Sequence, residues 1–363
     1  MRPPDELVMS FVIDVHAHYV SQNLIDEAAR NGTCYGVRVE EHGDGSQRIV
    51  FDNGTRLRPF FTELCDLAAR VPKLKDWGID RQLLSTWTDM AGDFLSPEHA
   101  IRWSRLQNET LAAAAAEHSP MFEAMGTLPL QHVEGCLAEL DYLAKDLGMR
   151  SVEISTNING RDLDGAEYRP VWKRICDLNL LVLLHPGFIP LGPQRLDRYF
   201  LNNIVGFPTD TTIAASRLLF SGLFSELPDL KICLAHGGGF LPYQIGRFDR
   251  GFAAHPACRA GIDLAPSQIM RRFYFDTLTH GDAALRFLFD VADRQRILFG
   301  TDYPFEMLDE MGPARVTGVP GLSAADVDHA LGINAAKALG EEPPAGSPRN
   351  ATNEAATPGD VRT

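Results

Sequence analysis

The sequence predicts an α/β fold, a (β/α)8 TIM barrel, and three observations carry that prediction. Short apolar runs alternate with stretches of helical length and period along most of the chain. Eight runs and eight such stretches can be counted. The first run leads into His16-Ala17-His18-Tyr19, with no glycine. A doubly wound open sheet, which also alternates, usually carries a glycine-rich phosphate turn at that point.

The first strand is Val12-Ile13-Asp14-Val15-His16-Ala17-His18. Residues 19–60 then break the rhythm. Val37–Glu40 and Arg48–Phe51 alternate polar and apolar around Gly43-Asp44-Gly45, which reads as a hairpin in a small β insertion. The other predicted strands are Gln82–Thr86, Phe122–Leu128, Ser151–Ser155, Leu180–Leu184, Lys231–Ala235, Phe273–Asp276 and Ile297–Gly300. Predicted helices cover 62–77, 97–118, 132–147, 167–178, 210–225, 240–253, 281–292 and 323–339. Residues 1–340 read as one domain, and 341–363, rich in Pro, Gly, Ser, Thr and Asn, as a flexible tail.

Of 363 residues, 45% are hydrophobic and 23% charged, which is ordinary for a globular protein. The net charge of −14 argues against nucleic acid or an anionic membrane as partner. It leaves an anionic substrate open, because salt screens distant charge beyond roughly 10 Å. Six cysteines lie scattered with no CxxC pair, so reduced thiols and a cytoplasmic setting are expected. Neither a signal peptide nor a bilayer-spanning run is expected.

Polar residues gather at the predicted strand ends. In a strand, side chains at i and i+2 share one side, so His16 and His18 project together. Two converging imidazoles make sense as ligands of one divalent metal. His185 closes the fifth strand, His236 follows the sixth and Asp302 the eighth. In a barrel these ends share the face where active sites are built. Singly, each has a plainer reading: His185 as a core residue, His236 as a turn cap, Asp302 as a helix N-cap. One geometry explains all five together. The remaining histidines read as surface or helix-end residues.

Asp14-Val15-His16-Ala17-His18, Leu184-His185-Pro186, Ala235-His236-Gly237-Gly238-Gly239 and Phe299-Gly300-Thr301-Asp302-Tyr303-Pro304 together resemble the amidohydrolase superfamily. The resemblance is nearest to its non-hydrolytic branch of the 2-amino-3-carboxymuconate-6-semialdehyde decarboxylase type, over about residues 10–340. It implies that His16, His18, His185 and Asp302 hold one divalent ion, zinc first and manganese second. It implies that His236 is the acid/base residue and that Arg58 grips a substrate carboxylate. It also implies that Arg247 reaches in from a second subunit, making the active unit a homodimer; the plainer reading of Arg247 is a surface salt bridge on a helix. The chain departs from the pattern in places. Many hydrolases of the superfamily carry a lysine after the fourth strand to bridge two metals, whereas Glu153-Ile154-Ser155-Thr156 stands here and favours one metal. The 187–192 loop, Gly187-Phe188-Ile189-Pro190-Leu191-Gly192, differs from that branch's aromatic-rich loop, and Tyr199 falls near a tryptophan position.

The activity implied is loss of CO2 from a small aromatic or muconate-type acid. His236 takes or relays a proton, and Asp302 could deliver one to the carbon that bore the carboxylate. Arg58 and Arg247 would fix a carboxylate, and Tyr199 would line the substrate site. A hydrolase or hydratase of the same fold, acting on a lactone, cyclic amide or unsaturated dicarboxylate, would use the same residues. A non-catalytic scaffold is disfavoured, because no member of the ligand set is missing.

Overall fold

The computed structural model describes residues 11–187 and 192–343. What the sequence leads one to expect of the first ten residues, of 188–191 and of 344–363 lies outside the described residues. Among the described residues twelve strands run in chain order. β1 is Ile13–His18, β2 Val37–Glu41, β3 Gln47–Phe51, β4 Arg81–Ser85, β5 Phe122–Ala124 and β6 Ser151–Ser155. β7 is Asn157–Ile158, β8 Arg161–Asp162, β9 Leu181–His185, β10 Lys231–Leu234, β11 Tyr274–Asp276 and β12 Ile297–Leu298.

Eight of these are parallel, in a sheet of order β1-β4-β5 and another of order β12-β11-β10-β9-β6. β9, Leu-Val-Leu-Leu-His, and β10, Lys-Ile-Cys-Leu, are nearly continuous in apolar residues because both faces of the sheet are covered. Backbone bonds link the two sheets at both edges. Val15 N–H donates to Phe299 O at 2.9 Å, and Gly126 N–H donates to Ser151 O at 2.9 Å. Parallel bridges join Ala17 to Tyr303 and Gly126 to Val152.

β1 carries an irregularity that matters for the site. Asp14 pairs with Gln82 but Ala17 pairs with Leu84, so one extra residue sits in β1. Such a bulge reverses the alternation of side chains. Below it, Ile13 and Val15 pack with Leu83, Leu183 and Cys233 in the inner cluster. Above it, Ala17 packs outward with Leu84 and Leu184, which leaves His16 and His18 facing inward. Gln82 Nε2 and Thr301 Oγ1 donate to buried Asp14 Oδ2 at 2.7 and 2.6 Å, binding β1 to β4 and to the segment after β12.

The hairpin of the insertion forms as expected, with Val37 opposite Phe51 and Glu41 opposite Gln47. A helix at Gln22–Asn31 was not expected. Ser21 caps it, and Leu24, Ile25 and Ala28 are its buried residues, too few to stand out as a period. The helix expected over 62–77 divides at Asp66, which caps Leu67–Trp77 by accepting from Ala69 N–H at 3.0 Å. The helix expected over 323–339 passes through a wide turn at His329–Ile333. Glu341, placed in the tail by composition, pairs with Arg81 at 2.7 Å and with Arg150. The six cysteines are unpaired. Among the described residues no helix is long and apolar enough to cross a membrane.

Candidate active site

The C-terminal ends of four parallel strands, β1, β9, β10 and β12, bring His16, His18, His185, His236 and Asp302 together. The His16, His18 and His185 rings lie 4.9–5.2 Å apart, centre to centre. The His236 ring is 5.3 Å from His16 and 5.0 Å from His185. Asp302 Oδ1 lies 3.3 Å from His18 Nε2 and 3.7 Å from His16 Nε2, and its Oδ2 lies 3.7 Å from His236 Nε2. Two of these residues hold left-handed backbone, with φ of 55° at His236 and 58° at Asp302. Non-glycine residues adopt that region sparingly, and such strain gathers at functional sites.

Each imidazole is fixed from behind. His16 Nδ1 donates to Asp276 Oδ2 at 2.8 Å. His18 Nδ1 donates to Ser85 Oγ at 3.1 Å. His185 Nδ1 donates to Thr88 Oγ1 at 2.8 Å, and Thr88 in turn donates to Glu153 Oε1 at 2.8 Å. With Nδ1 donating outward, the three Nε2 atoms face inward. Asp276 also accepts from the N–H groups of His236 and Gly237 at 2.9 and 2.7 Å, so one carboxylate orients His16 and anchors the His236 turn. Arg70, fully buried, donates to the carbonyl oxygen of His18 at 2.9 Å and to Gln82 Oε1 at 3.0 Å. Two glycines make room. A Cβ on Gly300 would sit 2.9 Å from His16 Cβ, and one on Gly239 would sit 2.2 Å from Pro208 O.

The four atoms left over are diagnostic. His16 Nε2, His18 Nε2, His185 Nε2 and Asp302 Oδ1 are buried and have no hydrogen-bond partner. Buried polar atoms are ordinarily satisfied. One ligand atom from each of these residues lies within 4.8 Å of the others. Ligands about 2.1 Å from one zinc ion lie at most about 4.2 Å apart, so shifts below 1 Å would bring the set into coordination. Three imidazoles and a carboxylate thus fit a divalent cation.

Electrostatics agree. Burial opposes charge on His16, but the hydrogen bond to Asp276 and the charges of Asp302, Asp276 and Glu153 raise its pKa to about 9. Burial and the positive potential of His16, His236 and His18 hold His185 well below its ordinary value, so it is neutral. Burial also opposes ionisation of Asp302, yet the close imidazoles of His18, His236 and His16 outweigh it and keep the carboxyl well below the usual carboxylate range. Three basic rings around one acid form a centre that a cation completes.

A cavity of about 180 Å3 opens beside these residues, lined by His185, His236, Asp302, Arg58 and the aromatic rings of Trp87, Phe200, Phe207 and Phe305. Arg58 lies 4.8–5.2 Å from the ring centres of Phe61, Trp87 and Phe305. Its Nη1 donates to Glu306 Oε1 at 2.6 Å. A larger apolar groove of about 600 Å3 adjoins it and shares His236 and Phe207. Tyr199 is 77% exposed and stands outside the cavity lining, where its neighbour Phe200 takes part. Arg247 is exposed on helix Leu241–Ala254 and makes no ion pair with the described residues of its own chain.

Sequence reasoning missed Asp276, Thr88, Glu153 and Glu306. Asp276 did carry a signal, a carboxylate at the end of an otherwise apolar strand, whereas Glu153 sits in the middle of Ser151–Ser155. Thr88 and Glu306 lie in loops, and nothing in their neighbourhood marks them.

The sequence pattern of the amidohydrolase family, described as Amidohydrolase, matches residues 13–340. The 2-amino-3-carboxymuconate-6-semialdehyde decarboxylase of Dictyostelium discoideum is 31% identical over 336 residues, covering 92% of this chain and 93% of that one. The γ-resorcylate decarboxylase of Rhizobium sp. strain MTP-10005 is 30% identical over 270 residues, covering 68% and 79%. The fold is shared with the dihydroxybenzoic acid decarboxylase of Polaromonas sp. JS666, whose structure holds manganese and the inhibitor 2-nitroresorcinol. That likeness has a TM-score of 0.75 at 24% identity, over 92% of this chain and 97% of that one.

Proposed function

The chain belongs to the amidohydrolase family, and from that premise we propose that it is a metal-dependent, non-oxidative decarboxylase of a small aromatic acid. The observation that carries this reading is the set of four unpartnered ligand atoms beside a cavity that offers one cation and several aromatic faces. A cavity near 150 Å3 accepts a benzene ring, so one of about 180 Å3 suits a single substituted ring. The relatives named as decarboxylases of carboxymuconate and resorcylate acids support the same class. We also infer that the eight parallel strands close into one barrel, since backbone bonds join both sheet edges.

His16, His18, His185 and Asp302 would hold one divalent ion. Three nitrogen donors favour zinc, while the Polaromonas structure makes manganese the alternative. When bound, such an ion supplies a Lewis acid that holds a substrate oxygen and draws electrons from the reacting ring. Loss of CO2 leaves an electron pair on the ring carbon, and a proton must arrive there. Asp302 is held ionised by its histidine neighbours, so His236 is the better proton donor, with Asp302 positioning its Nε2 and passing the proton on where the ring approaches. Arg58, its plane fixed by three rings, would meet the substrate carboxylate. Arg247, exposed and without an ion pair among the described residues, would enter the site of a second copy, and the working unit would then be a homodimer. Tyr199 would approach the ligand only from outside the cavity.

The test is CO2 release from γ-resorcylate by the zinc- or manganese-loaded protein. Stoichiometric CO2 and resorcinol support the reading. Ring opening of a lactone or cyclic amide with no CO2 from any aromatic acid would assign a hydrolase instead.

A further inference from the structure

The cavity holds one cationic side chain among its lining residues, and that cation already has a carboxylate. Arg58 Nη1 donates to Glu306 Oε1 at 2.6 Å. The two partners are held very differently. Arg58 is wedged against Phe61, Trp87 and Phe305, with its side chain 36% exposed. Glu306 is 65% exposed and, among the described residues, bonds to no side chain but Arg58. Arg58 Nε is buried without any acceptor, so one donor of the guanidinium waits for a ligand.

We infer that Glu306 is a specificity-determining residue: its carboxylate occupies Arg58 in the free enzyme, and an incoming substrate carboxylate must displace it. This rests on the reading that the cavity takes a carboxylic acid. The exchange is physically reasonable. Glu306 meets Arg58 through a single bond, whereas a free carboxylate can meet it through two parallel bonds. An ion pair as exposed as this one is weakly held, so an anion can break it. The aromatic wedge keeps the guanidinium in place while the glutamate swings toward solvent. A neutral group of the same shape gains no charge-assisted bond and leaves Glu306 where it is. Glu306 therefore acts as a threshold, admitting ligands that bring a forked negative charge and rejecting their uncharged analogues.

The experiment measures calorimetric binding of benzoate, which lacks the hydroxyl groups of γ-resorcylate, and of benzamide, its neutral isostere, to the metal-loaded enzyme. Glu306→Gln preserves shape and removes charge. It is expected to bind benzoate about threefold to fivefold more tightly, the range an exposed ion pair allows, with benzamide unchanged. The gain should vanish when Arg58→Ala is present in both backgrounds, since the effect runs through that pair. KM for γ-resorcylate should fall by the same factor with kcat altered less than about twofold. Equal or weaker benzoate binding by Glu306→Gln would overturn the exchange and make Glu306 a support for Arg58. A benzoate gain without CO2 release from any aromatic acid would keep the exchange and defeat the decarboxylase reading. CO2 release without the gain would do the opposite.

Discussion

His236 and Asp276 separate two kinds of work at the site. His236 is not among the four residues of the ligand cluster, so His236→Ala should keep a full equivalent of metal and lose roughly 10²-fold or more in turnover. Metal analysis beside a CO2 assay checks this, and near-full activity would remove the acid/base role. Asp276→Asn should do the reverse, lowering metal affinity by about 10- to 100-fold because His16 loses its orienting carboxylate. Competition against a chelator reads it out. His16 adds a pH dependence. Its pKa of about 9 in the metal-free protein means that it carries a proton at neutral pH, which ligation must expel. Metal binding at pH 7.5 should release about one proton on this account, and apparent affinity should rise with pH until about 9 and then level. His185 is already neutral and Asp302 already ionised, so neither adds to the release. Titration calorimetry in two buffers of different ionisation heat gives the proton count. The clustering of His16, His18, His185 and Asp302 was legible because histidine and aspartate stand at or just beyond the ends of apolar strands. Asp276 as the partner of His16 was not legible, because that bond joins residues 260 apart and exists only once β1 and β11 are both in place.

β1 shows what pattern reasoning can and cannot supply at the level of an element. The rule that residues i and i+2 share a side put His16 and His18 together correctly. It could not reveal that the strand changes faces just below them, because the bulge is a fact of register against β4. The parallel strands and the β2–β3 hairpin were legible from alternation and turn residues. Helix Gln22–Asn31 was not, since three buried residues make no readable period. Gly300 is where the eighth strand presses on the first. A methyl group there would stand 2.9 Å from His16 Cβ and 3.3 Å from Asp276 Cβ. Gly300→Ala should therefore weaken metal retention and cost about 1–3 kcal/mol of stability through overpacking. Thermal unfolding with and without metal checks both, and an unchanged midpoint with full metal content would contradict the crowding.

At the scale of the whole molecule, the fold was legible because eight alternations of strand and helix leave few ways to bury so much apolar surface. The homodimer is a proposal that rests only on the family pattern around Arg247. If Arg247 serves a neighbouring site, Arg247→Ala and His236→Ala proteins should each be nearly inactive alone. Mixed after dissociation, they should recover on the order of one quarter of full activity, because half the dimers are hybrids and each hybrid has one intact site. No recovery on mixing would place Arg247 elsewhere. The central claim is that four side chains from distant segments share one cation. Anomalous diffraction from crystals of the metal-loaded protein tests it most directly. The account predicts a single strong peak bonded to Nε2 of His16, His18 and His185 and to an oxygen of Asp302. A peak away from these atoms, or none at full loading, would contradict it.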